Sequence, residues 1–140
     1  VISVSELVVP AEVARVSEVT SFVEKALASS GADPSVTMPL VLSAEEAFVN
    51  IASYAYPEKA GGTVTVRCEV ANETARLILS DEGVPFNPLM HPVPDITEGI
   101  EDRRIGGLGI LMIRRLSDGV QYTYSGGKNV LTITRSNHHQ

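Results

Sequence analysis

The sequence predicts an α+β fold with elements in the order β-α-α-β-β-loop-α-β-β. Three observations carry that prediction. Residues 63–70 alternate strictly, with Val64, Val66, Cys68 and Val70 on one side and Thr65, Arg67 and Glu69 on the other. Three other stretches repeat apolar residues at intervals of three and four, the spacing of one helix face. The strands come in adjacent pairs, joined by turn residues at Ala71-Asn72-Glu73 and at Ser125-Gly126-Gly127-Lys128.

Ile2 to Val9 is expected to be a short strand that Pro10 stops. From Pro10 the pattern turns helical through Val13, Val16, Val19 (or Thr20), Val23 and Leu27, with Gly31 beyond the exit. A turn at Asp33-Pro34-Ser35 leads to a second helix, expected from Pro39 to about Ala55. Its apolar side is Leu40, Ala44, Ala47 (or Phe48), Ile51 and Ala55. Glu46, Asn50 and Ser53 with Tyr54 fall on another face. Gly61-Gly62 is a turn, and Ala75 to Ser80 is the strand that follows the alternating one. Cys68 belongs to the core face, where a free cysteine acts as a small hydrophobe.

That strand runs into Asp81-Glu82-Gly83-Val84-Pro85-Phe86, a carboxylate at a strand end before a glycine turn. Residues 84–105 hold Pro85, Pro88, Pro92 and Pro94 and show no regular pattern. An irregular segment of this length in a small domain reads as a mobile lid or binding loop. It ends at Arg103-Arg104, after which Gly106-Gly107-Leu108-Gly109 opens a third helix with Leu108, Leu111, Met112 and Leu116 along one side. Asp118-Gly119 is expected to close that helix, the glycine as a C-terminal cap. Val120 to Tyr124 and Asn129 to Thr134 are the last two strands. Glycines before a helix bring backbone N–H groups close to a ligand, and the first amides of a helix lack internal partners. An anion suits that position, phosphate most of all.

The 140 residues fit one domain. A net charge of −6 argues against broad nucleic-acid binding. One cysteine cannot form an internal disulfide, so a reducing cytoplasmic setting is expected. No stretch reaches the roughly 20 apolar residues of a membrane span, and no membrane or direct nucleic-acid partner is expected. His138 and His139 have no third ligand at useful spacing.

Three polar signatures thus stand in order: Glu46 with Asn50 on a helix, Asp81-x-Gly83-x-Pro85-Phe86 after a strand, and Gly106-Gly107-Leu108-Gly109 opening a helix. This arrangement resembles the GHKL ATPase superfamily over about residues 2–135. Within it, Glu46-Ala47-Phe48-Val49-Asn50 and the Asp-x-Gly-x-Pro-Phe form look most like the anti-sigma-factor serine kinases of bacteria.

The resemblance implies a two-layer sandwich of the Bergerat type. A mixed, mostly antiparallel sheet would be covered on one face by about three helices, with an ATP lid, all in a single domain over 1–140. It implies ATP/ADP and Mg²⁺ as ligands. Asp81 would accept from the adenine amino group, Gly83 would leave room for the base beside Pro85, and Thr132 would help hold the adenine. Asn50 offers a neutral oxygen to Mg²⁺, a hard ion that takes its other ligands from water and phosphates. The amides of Gly106, Gly107, Leu108 and Gly109 would face the phosphates, with Arg103 or Arg104 neutralising their charge. Glu46 would be the general base toward a partner serine, whereas Glu45 lies about 100° around the helix. The implied partners are an anti-anti-sigma protein of the STAS type, a sigma factor and a second copy of the chain. Many relatives carry histidine one turn past the asparagine, where this chain has Tyr54. The alternative function is a nucleotide-responsive interaction module with little or no catalysis.

Overall fold

In the computed structural model, residues 2–57, 61–87 and 107–136 are described. Five strands form one sheet: β1 (Ile2–Pro10), β2 (Thr63–Ala71), β3 (Thr74–Asp81), β4 (Gly119–Ser125) and β5 (Lys128–Ser136). Their order is β1-β2-β3-β5-β4, and all four pairings are antiparallel. The helices are α1 (Val16–Ser29), α2 (Pro34–Tyr54) and α3 (Gly107–Leu116). The fold class is the expected α+β.

Strand alternation decides which sheet face the helices cover. Val64, Val66, Cys68 and Val70 of β2, Ala75, Leu77 and Leu79 of β3, and Leu131 and Ile133 of β5 are all buried. Against them pack Val19, Val23 and Leu27 of α1 and Leu40, Ala44, Ala47, Phe48 and Ile51 of α2. Each such large side chain stabilises the fold by roughly 1.5–3 kcal/mol relative to exposure. Cys68 sits inside this layer, and burial pushes its thiol up to about 12, so it stays a neutral apolar group.

Three element boundaries differ from expectation. Pro10 does not open a helix but remains in β1 opposite Thr63. A 3₁₀ turn at Val13–Arg15 intervenes before α1, and Val13 is exposed rather than part of the core stripe. The helix α2 starts at Pro34, not Pro39. Asp33 is its N-cap and accepts from the Ser35 amide at 2.8 Å, with Pro34 at the first helical position, where its missing N–H costs nothing. Pro39 lies inside α2 and forgoes only the bond to the Ser35 carbonyl. Gly119 is not a helix cap. It begins β4 opposite Thr134, and α3 ends at Leu116.

Gly31 does cap α1 as expected. It takes a φ of 80°, donating to the Ala28 carbonyl at 3.1 Å while Ala32 donates to Leu27 at 3.0 Å. These two bonds form a Schellman end.

The course of α3 matters for the site. Its last carbonyl, on Leu116, accepts from Arg135 at 3.1 Å, and the Asp118 amide donates to Thr134 at 2.8 Å. The C-terminal end of α3 is therefore pinned where β4 begins, far along β5 from Asn129. A ten-residue helix rises about 15 Å, so the Gly107 end stands about that far from this anchor.

Candidate nucleotide site

At the end of β3, Asp81 is 5% exposed. Its Oδ1 accepts from the Gly83 amide and from Asn129 Nδ2, both at 2.9 Å. Among the described residues neither bond uses Oδ2. Burial raises the carboxyl's pKa above the ordinary aspartate value, and the Asn129 and Gly83 donors act in the opposite direction. The result is a buried acceptor with one oxygen committed and the other open to a donor.

The loop after Asp81 is held by backbone packing. A Cβ on Gly83 would stand 2.1 Å from the Ala55 carbonyl oxygen, and the Val84 amide donates to that same oxygen at 2.8 Å. Glycine is required here because the end of α2 fills the space. The missing side chain of Gly83 makes room for the end of α2. Tyr56 adds a second tie, donating to the Thr63 carbonyl and accepting from the Glu82 amide, each at 2.8 Å. A cavity of about 440 Å³ opens beside the loop. Its described lining includes Ala55, Tyr56, Glu82, Gly83, Val84, Pro85 and Tyr124 but neither Asp81 nor Asn50. Pro85 is thus at the cavity wall.

Asn50 lies on α2, 2% exposed. Its Nδ2 donates to the Glu46 carbonyl at 2.8 Å, which fixes the amide orientation. Its Oδ1 is buried and has no hydrogen-bond partner among the described residues. An orphaned buried oxygen costs about 1–3 kcal/mol unless something else binds it, and a cation with water and phosphate ligands fits that need. No group of three His, Cys, Asp or Glu side chains that could hold a metal occurs among the described residues. Asn50 would then offer Oδ1 to Mg²⁺. Glu46 is half-buried one turn earlier, and Glu45 is exposed. Tyr54, one turn past Asn50, packs its ring against Phe86 with centroids 5.4 Å apart.

Gly107, Leu108 and Gly109 are not a loop before α3 but its first turn, so the amides turned outward belong to the helix itself. Arg103, Arg104, Gly106 and the lid beyond residue 87 lie outside the described residues.

The place of Thr132 follows from strand parity. Its neighbours Leu131 and Ile133 are buried under the helices, so strand alternation puts Thr132 on the opposite face, between Ile78 and Gln121. Its side chain lies on the other face of the sheet from that of Asp81. The residue that meets Asp81 is Asn129, opposite it in the ladder and 5% exposed. Counting in twos from Leu131 would have found it.

The profile of the family described as "Histidine kinase-like ATPase domain" matches residues 9–135. Among curated relatives, a serine-protein kinase RsbW of Listeria monocytogenes is 29% identical over 105 residues, covering 72% of this chain and 67% of its own. A serine/threonine-protein kinase BtrW of Bordetella bronchiseptica is 26% identical over 95 residues, covering 68% and 67%. A crystal structure of RsbU and RsbW domains from Mycobacterium tuberculosis superposes with a TM-score of 0.64 at 18% identity, over 94% of this chain and 32% of that one. A blue-light activated histidine kinase of Erythrobacter litoralis gives 0.53 at 19%, over 75% and 31%. This chain therefore spans about a third of those solved chains, and the two likenesses speak to fold. With its sheet order, its buried Asp81 and its helix-borne Asn50, the chain belongs to the histidine kinase-like ATPase domain family.

Proposed function

We propose that this chain is an ATP-dependent serine protein kinase, one domain acting as an anti-sigma factor in the cytoplasm. It would phosphorylate an anti-anti-sigma protein of the STAS type and, in its other partner state, sequester a sigma factor, working as a homodimer. The partners and the dimer follow from the resemblance to anti-sigma kinases. The kinase activity has further support in the serine kinases it is similar to. The observation that carries the nucleotide reading is the orphaned, buried Oδ1 of Asn50, one turn beyond Glu46.

In this reading Asp81 Oδ2 accepts from the adenine amino group. The first amides of α3, at Gly107, Leu108 and Gly109, face the phosphates, with Arg103 or Arg104 and the amide of Gly106 beside them. Asn50 offers Oδ1 to Mg²⁺, which supplies charge neutralisation at the phosphates when bound. Glu46 takes the proton of the incoming serine hydroxyl as its oxygen bonds to the γ-phosphorus, and the bond to the β-phosphate oxygen breaks to release ADP.

The test is transfer of labelled γ-phosphate to serine of a STAS-type protein. Wild type should transfer. Glu46→Gln should lose about 10²–10⁴-fold in rate while binding ATP as before. Absence of transfer alongside tight ATP binding would favour a nucleotide-responsive interaction module instead. The Tyr54–Phe86 ring contact is the observation that keeps that second reading open, because it occupies the position where many relatives carry histidine.

A further inference from the structure

Resting on the nucleotide reading above, we infer that Asn129 is the positioning residue for base recognition: it aims Asp81 and anchors the following loop without itself touching the nucleotide. An asparagine side chain has two donor hydrogens and two acceptor lone pairs. All four are used. Nδ2 donates to Asp81 Oδ1 at 2.9 Å and to the Val84 carbonyl at 2.8 Å. Oδ1 accepts from the Phe86 amide at 3.0 Å and from the Tyr122 hydroxyl. Turning the amide over would set its oxygen against a carboxylate and a carbonyl, so its orientation is fixed.

Two consequences follow. A saturated side chain has nothing left to offer a ligand, so Asn129 acts only through what it holds. What it holds is Asp81, by the same oxygen that accepts from Gly83, so Oδ2 becomes the reading atom. It also ties both ends of the loop between Val84 and Phe86 to β5, and Phe86 carries the ring against which Tyr54 of α2 packs. One side chain thus joins β3, β4, β5 and the loop, and through Phe86 reaches the helix bearing Asn50. Replacing it frees the carboxylate to rotate and removes the side-chain ties to the Phe86 amide, the Val84 carbonyl and the Tyr122 hydroxyl.

The experiment measures Kd for ADP and for inosine diphosphate, which has a keto oxygen where ADP has the amino group, in wild type, Asn129→Ala and Asn129→Thr. Melting curves establish that each variant is folded. Wild type should prefer ADP by about 30-fold, the worth of one hydrogen bond to a charged group. Asn129→Ala should reduce the preference to about 3-fold, chiefly by weakening ADP. Asn129→Thr, which suits a strand and keeps one hydroxyl donor, should fall between them. An unchanged preference in both variants overturns the inference. So does an equal loss for both nucleotides, the mark of a merely structural role. Failure of wild type to bind ADP would instead defeat the nucleotide reading itself, so the two failures are distinguishable.

Discussion

The sheet carries polar clusters at two places, and the contrast between them separates a site from a surface. Toward the helices, Asp81 and Asn129 are each 5% exposed and joined by a hydrogen bond of 2.9 Å. On the other face, Arg67 pairs with Glu69 at 2.8 Å and with Glu6 at 3.5 Å, and Arg76 approaches Glu69 at 4.0 Å. There the Arg67 and Glu6 side chains are 40% and 50% exposed, so water screens the pairs. The second cluster carries more formal charge and closer opposite signs, yet the first holds the energetic consequence. A buried polar group must be satisfied, and the Asp81 oxygen that neither bond uses can take a ligand's donor.

If that contrast is right, the largest effect comes from disturbing the loop that follows Asp81. Gly83→Ala drives a methyl into the Ala55 carbonyl, and should destabilise the protein by about 3 kcal/mol in urea unfolding. A loss under about 1 kcal/mol would mean that the α2 end yields easily.

Asp81→Asn should act in the opposite sense on stability. The asparagine Oδ1 can accept from Gly83 and Asn129 as before, and no buried charge remains. Because burial raises the Asp81 pKa, the folded state holds its proton more tightly than the unfolded chain. This contribution to stability is full below the ordinary aspartate range of about 3.9 and is lost as pH rises through the raised value. Asp81→Asn should therefore flatten the stability-versus-pH curve above about pH 4 and match or exceed wild type at neutral pH. A variant clearly less stable than wild type at pH 7 would contradict the buried-acceptor account. The smallest effect belongs to the exposed cluster. Arg67→Met should leave the urea midpoint unchanged within error, and a clear drop would show that these surface pairs matter more than their exposure allows.

Much of the layout was legible because the pattern was local. The alternation of β2 and the buried stripe of α2 both survive in the structure. Boundaries failed where two prolines competed: Asp33-Pro34 carried the proper cap, but Pro39 looked like an entrance because a proline inside a helix is usually excluded. Gly119 misled for a similar reason, since a glycine after a helix can cap it or simply begin a strand. The pairing of β3 with β5 rather than β4 is non-local and leaves no mark in short-range spacing. The family pattern pointed to Thr132 without regard to strand parity, and Asn129 was read only as the first residue of the last strand because its partner Asp81 lies 48 residues earlier. The role of Gly83 could not be read at all, because the carbonyl it accommodates belongs to a helix nearly thirty residues earlier.

The account rests on adenine nucleotide binding at the Asp81 end, and calorimetric titration with ATP and ADP, with and without Mg²⁺, tests it most directly. Wild type should bind both nucleotides, more tightly with magnesium, and Asp81→Asn should weaken binding about 100-fold while remaining fully folded. Absence of binding in wild type, or binding indifferent to Asp81→Asn, would contradict it.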